Sequence, residues 1–181
     1  LNKPAPAMDH SNHASHGAGA MDLNDIDYDA YLANDRTLAD PEVVRVARGG
    51  RIRLRVVNAA AATAFHIDLG ALRGEIVAVD GQPVGALAGR RIPLAIGQRV
   101  DLAVKIPSRG GAFPIFALRE GGRERAGLIL ATQGARVAKL RRLADTVAPP
   151  LSLDLETHLR AAAPLAARPA DRLFRVALSG D

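Results

Sequence analysis

The 181-residue chain has no cysteine and no tryptophan. Without thiols it cannot form disulfides, thiolate zinc sites or thiolate-ligated copper centres from its own residues. Aromatic residues make up only 3%, which leaves little to stack on nucleic-acid bases. No apolar run approaches the ~18 residues of a membrane-spanning helix. The first residues, LNKPAPAMDH, lack the charged and apolar regions of a signal peptide. What is present is aliphatic: 48% of the chain is hydrophobic, so a core must be built from Val, Ile, Leu and Ala.

Charge is unevenly placed. Residues 1–42 carry a net −6 and the remainder +11, within an overall +5. The basic part is nearly all Arg, spread along strand-like stretches, and this pattern with few aromatics argues against a nucleic-acid partner.

Residues 1–24 are polar and of low complexity, and read as a flexible linker. Within them, AMDHSNHASHGAGAMD places Met8, His10, His13, His16 and Met21 close together. Thioether and imidazole are ligands for copper, so these residues are a candidate weak, labile copper site. The competing reading is a solvated linker that happens to contain His.

From Tyr28 to about Thr132 the pattern is β. In RIRLRVVN, Ile52, Leu54 and Val56 alternate with Arg51, Arg53 and Arg55, the period of a half-buried strand. EVVRVA precedes it across Gly49-Gly50, which predicts an antiparallel hairpin. Further strands are expected in TAFHIDL, EIVAVDGQPV, RRIPLAI, RVDLAVKI, AFPIFALRE and RAGLILAT. Asp80-Gly81 and Gly97-Gln98 mark turns. Leu54 and Val104 should face inward and Arg53 outward. Asn58 is placed to satisfy loop backbone with its amide, and Arg99 and Asp101 share a face. Short strands at this spacing, without strong helices, indicate an antiparallel β-sandwich or barrel. Residues 136–172 have the composition of an interdomain linker, with one short helix expected in LDLETHLRAA. RLFRVALSGD, residues 172–181, starts a fresh strand pattern from Leu173, so the expectation is a piece of a longer protein.

The ordered stretches YDAYLANDR, PEVVRVARGGRIRLRVVNAAAATAFHIDL, VAVDGQPV, IPLAIGQRVDLAV and RAGLILAT resemble the second, middle domain of three-domain multicopper oxidases of the laccase and copper-resistance type. The resemblance implies an all-β, Greek-key cupredoxin-like β-sandwich over residues 25–135. It implies a periplasmic or secreted parent with flanking cupredoxin domains as partners and copper as the parent's cofactor. That parent would couple one-electron oxidation of phenols or cuprous ion to reduction of oxygen to water. In the family the copper ligands are paired His-x-His and His-Cys-His motifs in the first and third domains. This chain has neither; at the corresponding strand it has His66-Ile67-Asp68, where His66 is expected to be an exposed polar residue. The implied role is a non-catalytic scaffold without tightly bound copper, and the N-terminal MDHS resembles the Met/His-rich repeats of copper-resistance oxidases. The alternative is a free-standing periplasmic copper-binding or carrier module.

Overall fold

The computed structural model describes residues 28–177. They form nine strands: β1 (Val43–Arg45), β2 (Arg51–Val57), β3 (Phe65–Asp68), β4 (Gly74–Val79), β5 (Gln82–Gly89), β6 (Arg91–Leu94), β7 (Arg99–Lys105), β8 (Ala112–Arg119) and β9 (Arg125–Ala131). One helical turn, α1 (Asp154–His158), follows. The strands make two sheets, ordered β1-β9-β8-β3-β6 and β2-β7-β4-β5. The fold is therefore all-β, a cupredoxin-like β-sandwich.

Alternation decides which side chains meet between the sheets. In β7, Val100, Leu102 and Val104 are at most 3% exposed. They pack with Ile76 of β4 against Phe65, Ile67, Ile92, Leu94, Ile115 and Leu130 of the other sheet. The β-branched and Leu side chains fit the pleated, half-buried surface that such a layer needs.

The expected β1–β2 hairpin is not formed. β1 lies in the five-stranded sheet, parallel to β9, while β2 pairs antiparallel with β7 in the other sheet. Gly49, with φ of 67°, carries the chain across the edge of the sandwich instead of folding it back within one sheet. Both strands thereby point apolar faces into one interior, which a single-sheet hairpin would not close. Asp80-Gly81 does form a tight hairpin, joining β4 to β5. Its φ values of 49° and 84° match a type I′ turn. β5 runs to Gly89, further than its Gly- and Ala-rich sequence suggested. Gly97-Gln98 instead passes between sheets, from β6 to β7. Asn58 does hold its loop: its amide donates to the carbonyls of Thr63 and Leu94 at 2.9 and 3.1 Å.

The region after β9 is irregular, and its helix is only half the expected length. Residues 141–162 nevertheless lie against the sandwich. Ala148 donates to Gly122 O at 2.8 Å, and Gly121 donates to Ala148 O at 3.0 Å. Leu155 and Leu159 then pack on the core, and Ala161 bridges to Val84 of β5. Residues 172–177 form no strand, and Leu173, Phe174 and Val176 are exposed.

Leu102→Ala should destabilise the fold by about 2–5 kcal/mol, because its site is closed on all sides. Leu54→Ala, half-buried on an edge strand, should cost less. Arg53→Ala should cost no more than about 1 kcal/mol, the scale of an exposed ion pair. Urea unfolding curves give the comparison; equal losses would contradict this register.

Candidate functional site

Met8, His10, His13, His16 and Met21 lie outside the described residues. Among the described residues, no group of three or more His, Cys, Asp or Glu converges on a point where a metal could sit. The one histidine in a strand among the described residues is His66, in β3.

His66 points to the outer face of the five-stranded sheet, level with Pro93 of β6 and Leu118 of β8. It is not exposed as its strand pattern predicted; it is only 6% accessible. The strap of residues 144–151 crosses this face, and His66 Nε2 donates to the carbonyl of Pro149 at 2.9 Å. A carbonyl can only accept, so Nε2 carries the proton. Leu118 beside it and Ala148 of the strap are buried as well. His66 thus acts as a hydrogen-bonding anchor for the strap. With that nitrogen engaged and no second His or carboxylate completing a set, the site does not fit copper. Nothing in a period-two pattern reveals that a later, Ala- and Pro-rich segment returns to cover one face.

The strap is fixed at several further points. Ala144 N donates to Arg123 O at 2.7 Å, and Arg123 Nε returns to Ala144 O at 2.8 Å. Arg125 Nε reaches Arg141 O at 2.9 Å, while its guanidinium lies 4.2 Å from the centre of the Phe116 ring, within cation–π range. Burial pulls the Arg125 pKa down, opposed by Asp145 and Asp68 and reinforced by Arg141. Beside it, burial raises the Glu124 pKa, but hydrogen bonds from its own backbone, Arg119 and Arg123 outweigh burial and leave it lowered. The chain entering at Tyr28 meets this cluster, since Arg142 bonds the Asp29 carbonyl. Tyr28, Tyr31, Leu38, Glu124, Arg125 and Arg142 enclose a cavity of about 10 Å³, room for roughly one water and no substrate. The geometry of this end is that of a structural clamp joining the first described residues to the strap.

Ion pairs and one Arg–carbonyl hydrogen bond occupy the polar positions that the sequence offered. Asp101 accepts from Arg53 at 2.8 Å and lies 3.6 Å from Arg55. Asp68 pairs with Arg91 at 2.8 Å, and Arg99 donates to the Asp80 carbonyl at 3.1 Å. These cross-strand contacts set register and face water.

Two outcomes test this assignment. His66→Ala should leave the Pro149 carbonyl without its donor, cost about 1–3 kcal/mol, and raise amide exchange selectively between residues 144 and 151. For Glu124, a depressed folded pKa means its contribution is present above the unfolded value of 4.5 and is lost as pH falls through the folded value. Stability measured from pH 6 to pH 3 should therefore fall less steeply in Glu124→Gln than in the parent.

The comparisons with known proteins fit this arrangement. A family model described as "Multicopper oxidase" matches residues 5–136. Multicopper oxidase MmcO of Mycobacterium tuberculosis is 35% identical over 111 residues, which are 61% of this chain and 22% of that protein. Copper resistance protein A of Escherichia coli is 36% identical over 69 residues, 38% of this chain and 11% of that one. The chain thus spans about a fifth or less of these relatives. Among solved structures, Fet3p, described as a multicopper oxidase that functions in iron import, superposes with a TM-score of 0.61 at 14% identity. That match covers 76% of this chain and 27% of Fet3p, and it shows the shared fold. The multicopper oxidase mgLAC superposes at 0.53 with 16% identity, over 78% of this chain and 47% of its own. On the extent of the family match, the chain belongs to the multicopper oxidase family.

Proposed function

We propose that this chain is the middle cupredoxin-like domain of a three-domain multicopper oxidase, a non-catalytic scaffold between copper-bearing domains. The observation that carries the reading is His66. At the strand where the family resemblance would look for a His-x-His pair, the one imidazole is committed to the Pro149 carbonyl and its partner position is Asp68, paired with Arg91. The absence of cysteine from the sequence and the small share of each relative that the chain spans support the same reading. The parent oxidase would take electrons singly from phenols or cuprous ion and deliver them to oxygen, forming water, in the periplasm or outside the cell. Flanking cupredoxin domains supply the copper, and this domain sets their separation.

The Met/His stretch is an accessory in this reading. Met8, His10, His13, His16 and Met21 would collect copper weakly, because a low-complexity segment must be ordered at a cost of about 1–2 kcal/mol per residue fixed.

The chain incubated with copper should show no intense blue absorption and no oxygen-dependent oxidation of a phenol; either signal overturns the scaffold reading. Copper titration followed by NMR should shift residues 8–21 alone. Affinity should fall as pH drops through the His range near about 6.5, since protonated imidazole cannot coordinate. Binding that survives deletion of residues 1–24 would remove the accessory role.

A further inference from the structure

The two outer faces of the sandwich are treated differently. The five-stranded sheet is crossed by the strap, whereas β2 ends the four-stranded sheet with no strand beyond it among the described residues. Three features coincide along this edge. First, its backbone is available. Asn58 N donates to Gln98 O, and Ile106 N donates to Gly50 O, so the even-numbered residues exchange bonds with β7. By antiparallel alternation the N–H and C=O groups of Arg51, Arg53 and Arg55 point away from the sheet. Second, the core is open there. Ile52, Leu54 and Val56 are only half-buried, while their direct partners Val104, Leu102 and Val100 are at most 3% exposed. Third, the outer face is cationic. Arg51, Arg53 and Arg55 stand exposed beside Arg99 and Lys105 of β7, with Asp101 and Glu75 as the acids of the same face. Arg51 sits directly opposite Lys105, a like-charge cross-strand pair that is unfavourable by itself.

We infer that the free edge of β2 receives an extended polypeptide segment in which acidic and apolar residues alternate. Cross-strand partners share a face, so carboxylates opposite Arg51, Arg53 and Arg55 would lie within ion-pair reach. The intervening apolar side chains would close over Ile52, Leu54 and Val56. The protein already shows the recognition once: the Asp101 carboxylate is held at 2.8 Å by Arg53 and 3.6 Å from Arg55. The added strand places an equivalent carboxylate against Arg51, on the side away from Lys105. A second copy of β2 does not fit, because edge-to-edge pairing would set Arg against Arg, the usual protection of an exposed edge. The recognition is strand addition, in which backbone bonds give affinity and alternate side chains give specificity.

The test uses the isotopically labelled full chain and a capped six-residue peptide of alternating Glu and Val, at low ionic strength. Amide shifts and slowed exchange should concentrate at residues 51–57 and weaken strongly with added salt. The same peptide with Lys in place of Glu should not bind. Replacement of its Val residues by Pro keeps the charge, fixes φ near about −65° and away from strand values, and should abolish the effect. Arg51→Glu should weaken binding at least tenfold, whereas Arg172→Glu, with the same change in net charge, should not. Equal binding of the Pro peptide, equal loss in both variants, or shifts spread over other strands would reduce the effect to general charge attraction and overturn the proposal. A single-stranded oligonucleotide producing the same β2 shifts would overturn it in favour of a nucleic-acid ligand.

Discussion

The contact between the inward face of β7 and the facing strands β3, β6, β8 and β9 governs this protein. Val100, Leu102 and Val104 are the least exposed stripe of the four-stranded sheet, and they have aliphatic partners for the most part. With four Phe, two Tyr and no Trp in the chain, burial must come from many Val, Ile and Leu side chains, each contributing about 1.5–3 kcal/mol. Such a layer is stable only when both sheets close over it. The tight β4–β5 turn, the crossover at Gly49 and the Asn58 bonds to Thr63 and Leu94 all serve that closure.

The outer faces then diverge. On one side, segments from outside the strands lie on the sandwich: Leu38 of the early loop and Ala148 of the strap are buried, as are His66 and Leu118. There the His66 imidazole is satisfied by the Pro149 carbonyl. The one imidazole in a strand among the described residues is thereby a fastening. On the other side, β2 and β7 present Arg and Lys to solvent, and the edge of β2 leaves three aliphatic side chains partly uncovered.

Sequence periodicity carried most of the strands. The alternation of Arg51 to Val56 identified β2 and its faces, Asp80-Gly81 identified its turn, and the ordered motifs identified the family. Each of these is local: side-chain period, turn dihedrals and motif order are written within a few consecutive residues. β5 was only partly legible, because Gly85, Ala86 and Ala88 are weak strand formers and are held there by pairing with β4. LDLETHLRAA lost half its helix because Leu159 turns extended and Ala161 joins the β5 edge.

Sheet membership and the fate of His66 were decided only in three dimensions. The pattern of β1 and β2 is equally compatible with a hairpin or with strands in opposite layers, since both bury the same residues. The parallel partner of β1 lies more than eighty residues away in β9, beyond any local signal. The outward position of His66 was correctly given by alternation, yet exposure depended on whether a distant segment lay above it. The sequence by itself thus determined which residues face inward and which face outward, because side-chain direction along a strand is a local property of the backbone. Tertiary structure alone decided which outward face meets water and which meets the strap, because that depends on where residues 141–162 find unsatisfied carbonyls and uncovered apolar surface.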